Sequence, residues 1–573
     1  MCGIAGILNG EGSARAMIQA LTHRGPNGIR IEEGENRSLA HARLSIIDLE
    51  GGWQPLHAAG STVIGNGEIY NYVELTEDFQ LGPRLATGSD FEPLLHLAAT
   101  RGWDALGLLR GMYGLCLIGP RDQLALARDL FGIKPLYTVR AGRRVAFASE
   151  PRALFAGGEA APAMDAAQAE NLLALNYTLG AGTIFRGVNR LAPGEVLGDA
   201  DEGWSPLPAG PAWRDRRPEQ AFTSEDEAVS QLDAILEDSV RVHQRSDVPY
   251  GLFLSGGIDS AAIATLMSRL NERPVTAYTC GFDVPDAADE RGQAERVARA
   301  LNLDWREISF GEADFWRVLP KVAWALDDPT TDFATLPTYK LAEAAKGVLT
   351  VVLTGEGGDE LFAGYGRYRR ALRPAWLGGR AAEPQVDAKF LKHGGAAALA
   401  RWREAGAAPA GLTRLQQAQW ADIQTWLPND LLLKLDRCLM AHGLEGRTPF
   451  LDREVASFAF NLPDRLKVRG RYGKWLLRTW LARTCPAAQP WARKQGFTVP
   501  VAAWIAPRAR DLGPRIAASP GVRAVCDVDA VRAAFSDDRH AGARWPLLFF
   551  ALWHAIHIEG AAPEAGLEAL LGS

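Results

Sequence analysis

Two textures of hydrophobic patterning divide the chain. Over the first 200 residues, short apolar runs are punctuated by Gly, Pro and Asn: Gly3 to Leu8, Ser38 to Leu49, Thr62 to Gly65, Leu115 to Ile118, Gln123 to Ala127 and Arg144 to Ala148. Such spacing predicts a layered, mostly antiparallel β domain with a few helices. Further on, the pattern becomes a helical stretch Ser224 to Val242, a strand Tyr250 to Leu254, a helix Ser260 to Leu270, a strand Val275 to Cys280 and a strand Leu349 to Leu353. Strands alternating with amphipathic helices predict a parallel sheet with crossover helices. Between the two lies Gly198 to Pro218, dense in Pro, Gly and charge, the composition of a linker. The expected organisation is a first domain over 2–200, a linker over 201–222, a second domain over 223–560 and a tail over 561–573. Leu372 to Gly411, rich in Ala, Gly and Pro, reads as a loosely packed connection within the second domain. The longest apolar run, Trp545 to Ile558, holds two histidines and falls short of the ~20 residues of a spanning helix, so it is expected as a buried helix.

Composition narrows the partners. The chain has 573 residues and a net charge of -6, which supplies no global field for nucleic acid or an anionic membrane. Its six cysteines are scattered singly, with no CxxC pair and no clustered His, so neither a disulfide framework nor a zinc site is expected. No basic segment followed by an apolar stretch opens the sequence, and the expected compartment is the cytoplasm. The 17 tryptophans read as core and helix packing.

Candidate chemistry begins at Cys2, which Gly-Ile-Ala-Gly follows. Removal of Met1 leaves a residue that carries both a thiol nucleophile and a base, since an α-amine has a pKa of about 7.7 to 8.0. A thiolate attacking a carboxamide needs donors for the developing oxyanion. The Asn66 side chain and the Gly67 backbone N–H suit that task, the glycine allowing close approach. An amino-acid substrate also needs its ends held. Arg43 suits an α-carboxylate, and Asp90 with the Glu68 region suits an α-ammonium.

In the second half, strand Tyr250 to Leu254 runs into Ser255-Gly256-Gly257-Ile258-Asp259-Ser260 and then a helix, so backbone N–H groups and a helix N-terminus converge as an anion site. Asp259 is a hard oxygen ligand placed for a magnesium ion on the phosphates. The loop is neither a GK[ST] loop nor a GxGxxG turn. A second strand ends in Thr354-Gly355-Glu356-Gly357-Gly358-Asp359-Glu360, whose clustered acids call for a cation. Asp359 is the expected second magnesium ligand, and Glu356 a candidate for orienting or deprotonating an incoming amine.

The ordered segments His23-Arg24-Gly25-Pro26-Asn27-Gly28, His41 to Asp48, Asn66 to Asn71, Ser89 to Glu92 and Ala127 to Tyr137 resemble the glutaminase domain of the N-terminal-nucleophile amidotransferases, asparagine synthetase type. The loop at Ser255 resembles the PP-loop of ATP pyrophosphatases. Leu427 to Arg437 and Met440 to Asp452 resemble the synthetase signature of the same family, and Arg493 to Phe497 with Pro500 also match it. The resemblance implies an αββα N-terminal-nucleophile sandwich of α+β class, followed by an α/β Rossmann-like PP-loop domain with helical additions. It implies glutamine at Arg43, Glu68 and Asp90, and ATP at Leu254, Ser255, Gly256, Gly257, Asp259, Ser260, Cys280, Thr354 and Gly355, with Cys280 read as lying against adenine through its backbone. It also implies a homodimer and Lys474 as the lysine that neutralises charge on the α-phosphate. The expected activity is hydrolysis of glutamine to ammonia and ATP-dependent amidation of a carboxylate, aspartate first, with AMP and pyrophosphate released.

Three departures bear on the acceptor and on the turns. Asn27 stands where the family has Asp, the stretch Asp327-Asp328-Pro329 to Asp332-Phe333-Ala334 departs from the usual Asp-Glu-Pro and Asp-Pro-Ser pattern, and Gly446 replaces an alanine. The last two keep a non-aspartate carboxylate, such as a sugar acid or peptide side chain, as the alternative. A non-catalytic scaffold on the same fold predicts loss of Cys2, the PP-loop or Asp359, and all are present.

Overall fold

The computed structural model describes residues 2–200, 203–206, 222, 224–284, 290–377, 379, 383–386, 388–493 and 499–572. The first domain is built on strands β1 (Gly3–Leu8), β2 (Gly28–Glu33), β3 (Arg37–Arg43), β4 (Leu56–Ala58), β5 (Ser61–Ile69), β6 (Gly111–Ile118), β7 (Leu124–Arg128), β8 (Tyr137–Ala141), β9 (Arg144–Ala148), β10 (Asn189–Arg190), β11 (Val196–Ala200) and β12 (Gly203–Pro206). They form two antiparallel sheets, ordered β10-β8-β9-β1-β3-β2 and β12-β11-β7-β6-β5-β4. Strand β1 shows why its sequence is apolar throughout. Ile4 and Leu8 face the second sheet against Ile64, Cys116 and Leu126, while Ala5 and Ile7 face Met17 and Ile18 on the other side. Both faces of a strand between layers are dry, so alternation disappears. Helices α1 (Arg15–Gln19), α4 (Pro151–Ala156) and α5 (Ala166–Leu175) cover the first sheet; α2 (Tyr72–Asp78) and α3 (Glu92–Arg101) cover the second. This is the expected αββα sandwich.

The second domain opens with α6 (Glu225–His243), capped by the Ser224 hydroxyl and carrying three acids in its first turn, a charge order that suits the helix dipole. Strands β13 (Tyr250–Phe253), β14 (Thr276–Phe282), β15 (Asp304–Phe310), β16 (Val351–Leu353) and β17 (Glu445–Arg447) form one parallel sheet, ordered β15-β14-β13-β16-β17. The chain moves outward from β13 on one side and returns to its other side at β16. The ends of β13 and β16 therefore lie at the point where strand order reverses, where open α/β sheets form their crevice. Helix α7 (Ile258–Leu270) starts there, directly after the loop that follows β13.

Three boundary expectations are corrected. The hairpin of β11 and β12 carries the second sheet through Pro206, into the stretch read as linker from 201; residues 207–221 lie outside the described residues. The expected tail folds back as Leu567–Leu570, with Leu570 and Leu571 buried. Within Leu372 to Gly411, helix Ala396–Ala405 packs through buried Trp402 and Ala398. The apolar run near the end is helix Arg544–His557, buried as expected, with the indole N–H of Trp553 donating to the Asp327 carbonyl at 2.9 Å. Among the described residues, no helix is long and apolar enough to cross a membrane.

The domains meet through buried charge. Arg24 of the first grips Asp436 of the second with two hydrogen bonds, 2.8 and 3.1 Å, and also reaches Glu150 at 2.7 Å. Lys134 lies 3.8 Å from Asp436 and donates to the Gly446 carbonyl at 3.2 Å. Arg437 reaches Asp327 at 3.1 Å and the Tyr137 hydroxyl at 3.2 Å. Burial pushes the Asp436 carboxyl up, but Arg24 and Lys134 outweigh it and hold the group below its ordinary value. Removing one partner of such a pair strands the other charges in a dry interface. Asp436→Ala is therefore expected to cost about 3–5 kcal/mol, seen as a lower urea midpoint of the intact chain. An unchanged midpoint would show that this pair does not hold the halves together.

Candidate functional site

The first cluster forms where the start of β1 and the end of β3, neighbours in the first sheet, meet β5 of the second. Cys2 precedes β1 and is buried, its backbone N–H donating to Asn66 Oδ1 at 3.2 Å and its Sγ lying 3.9 Å from the Leu44 carbonyl oxygen. Asn66 Nδ2 is buried without a hydrogen-bond partner among the described residues, so a donor stands ready beside the thiol. Gly67 has φ +149°, and a Cβ there would lie 1.9 Å from the Met112 carbonyl oxygen on β6. Only glycine fits. Burial pushes the Cys2 thiol up and Glu445 adds to this, while the amino terminus, a backbone hydrogen bond from Leu44 and Arg43 draw it down.

Arg43 closes β3. One of its Nη atoms donates to the Asp48 carbonyl, its guanidinium lies 4.9 Å over the Trp53 ring, and Nη1 is buried without a hydrogen-bond partner among the described residues. Asp90 accepts from the Ile69 N–H at 2.8 Å. Burial raises the Asp90 carboxyl to about 7, and burial raises Glu68 well above the carboxylate range, Asp90 adding to the effect and Arg447 opposing it. Two neighbouring carboxyls that are costly to ionise make a receptor for a cation, because an arriving ammonium relieves both. The six first-domain residues singled out from sequence, Cys2, Arg43, Asn66, Gly67, Glu68 and Asp90, thus gather at one place.

The second cluster surrounds a cavity of about 710 Å³ at the ends of β13 and β16. Leu254, Ser255, Gly256, Gly257, Asp259, Ser260, Cys280, Thr354, Gly355, Glu356, Asp359 and Lys474 all line it. The loop is shaped by its own side chains: Ser255 Oγ accepts from Gly257 N–H at 3.1 Å and lies 3.0 Å from Ser260 Oγ, which in turn accepts from Ser255 N–H at 3.1 Å. The Thr354 hydroxyl is buried without a hydrogen-bond partner among the described residues. Cys280 lies at the wall with its thiol pushed up to about 12 by burial, which suits a packing role.

Lys474 joins the two acidic turns. Its Nζ bonds Asp259 and lies 2.7 Å from Asp359. The residue has φ +54°, a strained backbone for lysine, and its N–H donates to the Phe362 carbonyl at 3.0 Å. A Cβ on Gly364 would lie 1.7 Å from Asp359 Oδ1 and 2.2 Å from Lys474 Cε, so the chain keeps that approach bare. Glu356 sits nearby, 3.9 Å from Lys434, its carboxyl raised by burial and drawn down by Lys434.

Sequence reasoning missed several residues here. Lys434, held by Asp332 at 2.8 Å, lines the cavity, as do Tyr365 and Arg478. Glu360 accepts from the Tyr365 hydroxyl at 2.6 Å, and burial followed by Asp359 raises it to about 8. Glu445 and Arg447 project from β17 toward the first cluster; burial pushes Glu445 up, yet the amino terminus and Arg447 hold it at about 2. Lys434 lies within a quoted motif, the one signal that pointed to it. The departures from family pattern also separate. Phe333 and Ala334 line the cavity, whereas Gly446 belongs to β17, and Asp327 and Asp328 are buried in the interface between domains. Of the expected stretch after Arg493, residues 494–498 lie outside the described residues.

Residues 1–206 match the glutamine amidotransferase domain model and residues 231–555 match the asparagine synthase model. The chain belongs to the asparagine synthase family. It is 31% identical to asparagine synthetase [glutamine-hydrolyzing] 1 of Bacillus subtilis, over 98% of this chain and 97% of that one. It is 33% identical to a putative asparagine synthetase [glutamine-hydrolyzing] of Mycobacterium tuberculosis, over 98% of each. A third relative, Amidase chry2 of Gibberella zeae, is 27% identical over 82% of this chain and 84% of its own.

Proposed function

We propose that the chain is a glutamine-dependent ligase that converts aspartate to asparagine, with ATP cleaved to AMP and pyrophosphate. The observation that carries this reading is the pairing of a buried thiol beside a ready amide donor with a phosphate loop whose cavity also collects two carboxylates and a lysine. In the first cluster, Cys2 is the nucleophile. Removal of Met1 turns its backbone nitrogen, already bonded to Asn66, into an α-amine that takes the thiol proton and later protonates the leaving ammonia. Asn66 Nδ2 and the Gly67 N–H hold the oxyanion of the attacked carboxamide. Arg43 takes the glutamine carboxylate through its unengaged Nη1, and Glu68 with Asp90 takes the ammonium.

In the second cluster, loop Ser255 to Ser260 and the N-terminus of α7 hold ATP phosphates. Asp259 and Asp359 fit a magnesium ion: they are hard oxygen donors converging on one cationic atom, and no group of three or more metal-ligating side chains occurs among the described residues, so water and phosphate would complete the shell. When bound, the ion would neutralise phosphate charge. Lys474 faces the α-phosphate as aspartate's carboxylate attacks it, and Glu356 orients the ammonia that then displaces AMP.

A second acceptor is favoured by one feature. Phe333 is an exposed aromatic side chain at the cavity wall, beside Ala334, where an acceptor with an apolar portion would find a surface. The test is one incubation of the purified chain with glutamine, Mg-ATP and aspartate. Equal yields of asparagine, glutamate, AMP and pyrophosphate are expected. Glutamate without aspartate-dependent pyrophosphate would retire aspartate in favour of another carboxylate, and no glutamate would retire the glutaminase reading.

A further inference from the structure

Arg447 belongs to the second domain, yet its side chain ends in the first. It lies on β17 and is fully buried. Its Nη1 donates to two backbone carbonyls, His243 at 2.9 Å and Arg245 at 2.7 Å, and its Nε donates to Glu445 at 2.5 Å. That leaves Nη2, which lies 3.3 Å from Glu68 Oε2. The other Glu68 oxygen, Oε1, is buried without a hydrogen-bond partner among the described residues. A guanidinium free to turn would grip both carboxylate oxygens in a fork. Anchored on two carbonyls and on Glu445, this one comes within ion-pair distance of a single oxygen, its Nη2 making no hydrogen bond among the described residues, and leaves the other oxygen bare, a costly state for a buried carboxylate unless a ligand donor arrives.

We propose that Arg447 is a positioning residue of the glutamine site: it holds Glu68 in place beside its own guanidinium, with one oxygen reserved for the substrate's α-ammonium. The site is then complete only when both domains are seated. Residue 447 is also tied to the nucleotide side, since its carbonyl oxygen accepts from the Thr354 N–H at 2.9 Å. The inference rests on the reading of Glu68 as an ammonium ligand.

The experiment measures glutamate release by the full chain from glutamine and from its analogue lacking the α-amino group. Arg447→Met is expected to raise KM for glutamine about tenfold with kcat changed less than about threefold, and to leave KM for the analogue within about twofold. A merely structural loss would penalise both substrates alike. On a Glu68→Gln background, Arg447→Met should add little, because both changes remove one interaction. Should Arg447→Met not fold, Arg447→Lys serves; it keeps the charge but cannot hold two carbonyls and Glu68 together, and its preference for glutamine over the analogue should fall about threefold. An unchanged preference in a folded variant, or full additivity with Glu68→Gln, overturns the proposal. Absence of glutamate release by the unmodified chain would overturn the functional reading itself.

Discussion

Cys2→Ala is expected to lower glutamine-driven amide formation by about 10³-fold or more while ammonium-driven formation continues. Nothing near Cys2 replaces it. Asn66 and Arg43 near the thiol are donors, and His41 on β3 is buried with its pKa lowered to about 3 by burial and then by Arg43, so it stays neutral. The α-amine that serves as base is carried by the same residue, so alanine keeps the base and removes the nucleophile alone. The second cluster is built from residues 253 onward and receives no atom of Cys2, so pyrophosphate release with ammonium and acceptor should persist. Retained glutamine-driven synthesis in this variant would remove Cys2 from the mechanism. Loss of both activities together would mean that the variant disturbs the seating of the domains, which a urea midpoint would reveal.

The same contrast shows what was legible in the sequence. Residues that touch substrate are restricted in type and sit beside glycines that make room, so Cys2, Asn66, Gly67 and the Ser255 to Ser260 loop stand out in one dimension. Strands with an apolar run, such as β1, buried throughout, and β13, buried at its centre, were also legible, because such a run leaves few other readings. The motif residues Arg24, Lys134 and Asp436 could be quoted but not explained: their work is an interface, and Arg24 and Asp436 are 412 residues apart in the chain. Arg447 was hidden for the same reason. Strand β15, with its partly exposed Asp304-Trp305-Arg306-Glu307, lacks the apolar run of the strands it follows because it is the edge of its sheet. The linker boundary slipped because Gly203–Pro206 is short and set among Gly and Pro, and it pairs only because β11 lies beside it.

Lys474→Met should produce the opposite pattern to Cys2→Ala: pyrophosphate release falls by about 10²–10³-fold whether ammonium or glutamine supplies nitrogen, while glutamate release from glutamine survives. The side chain is buried, on a strained backbone, between two carboxylates that would otherwise repel. A lysine so held is a fixed positive charge that needs no reorganisation when negative charge develops on an α-phosphate. Methionine keeps the volume and removes the charge. Lys474→Arg should recover little, since the bare approach at Gly364 leaves no room for a planar guanidinium beside Asp359. Ammonium-driven pyrophosphate release within about twofold of the unmodified chain would show that Lys474 only neutralises Asp259 and Asp359. Loss of pyrophosphate release with glutamate release intact would place its charge on the reacting phosphate, because a lysine needed only for folding would take both activities with it.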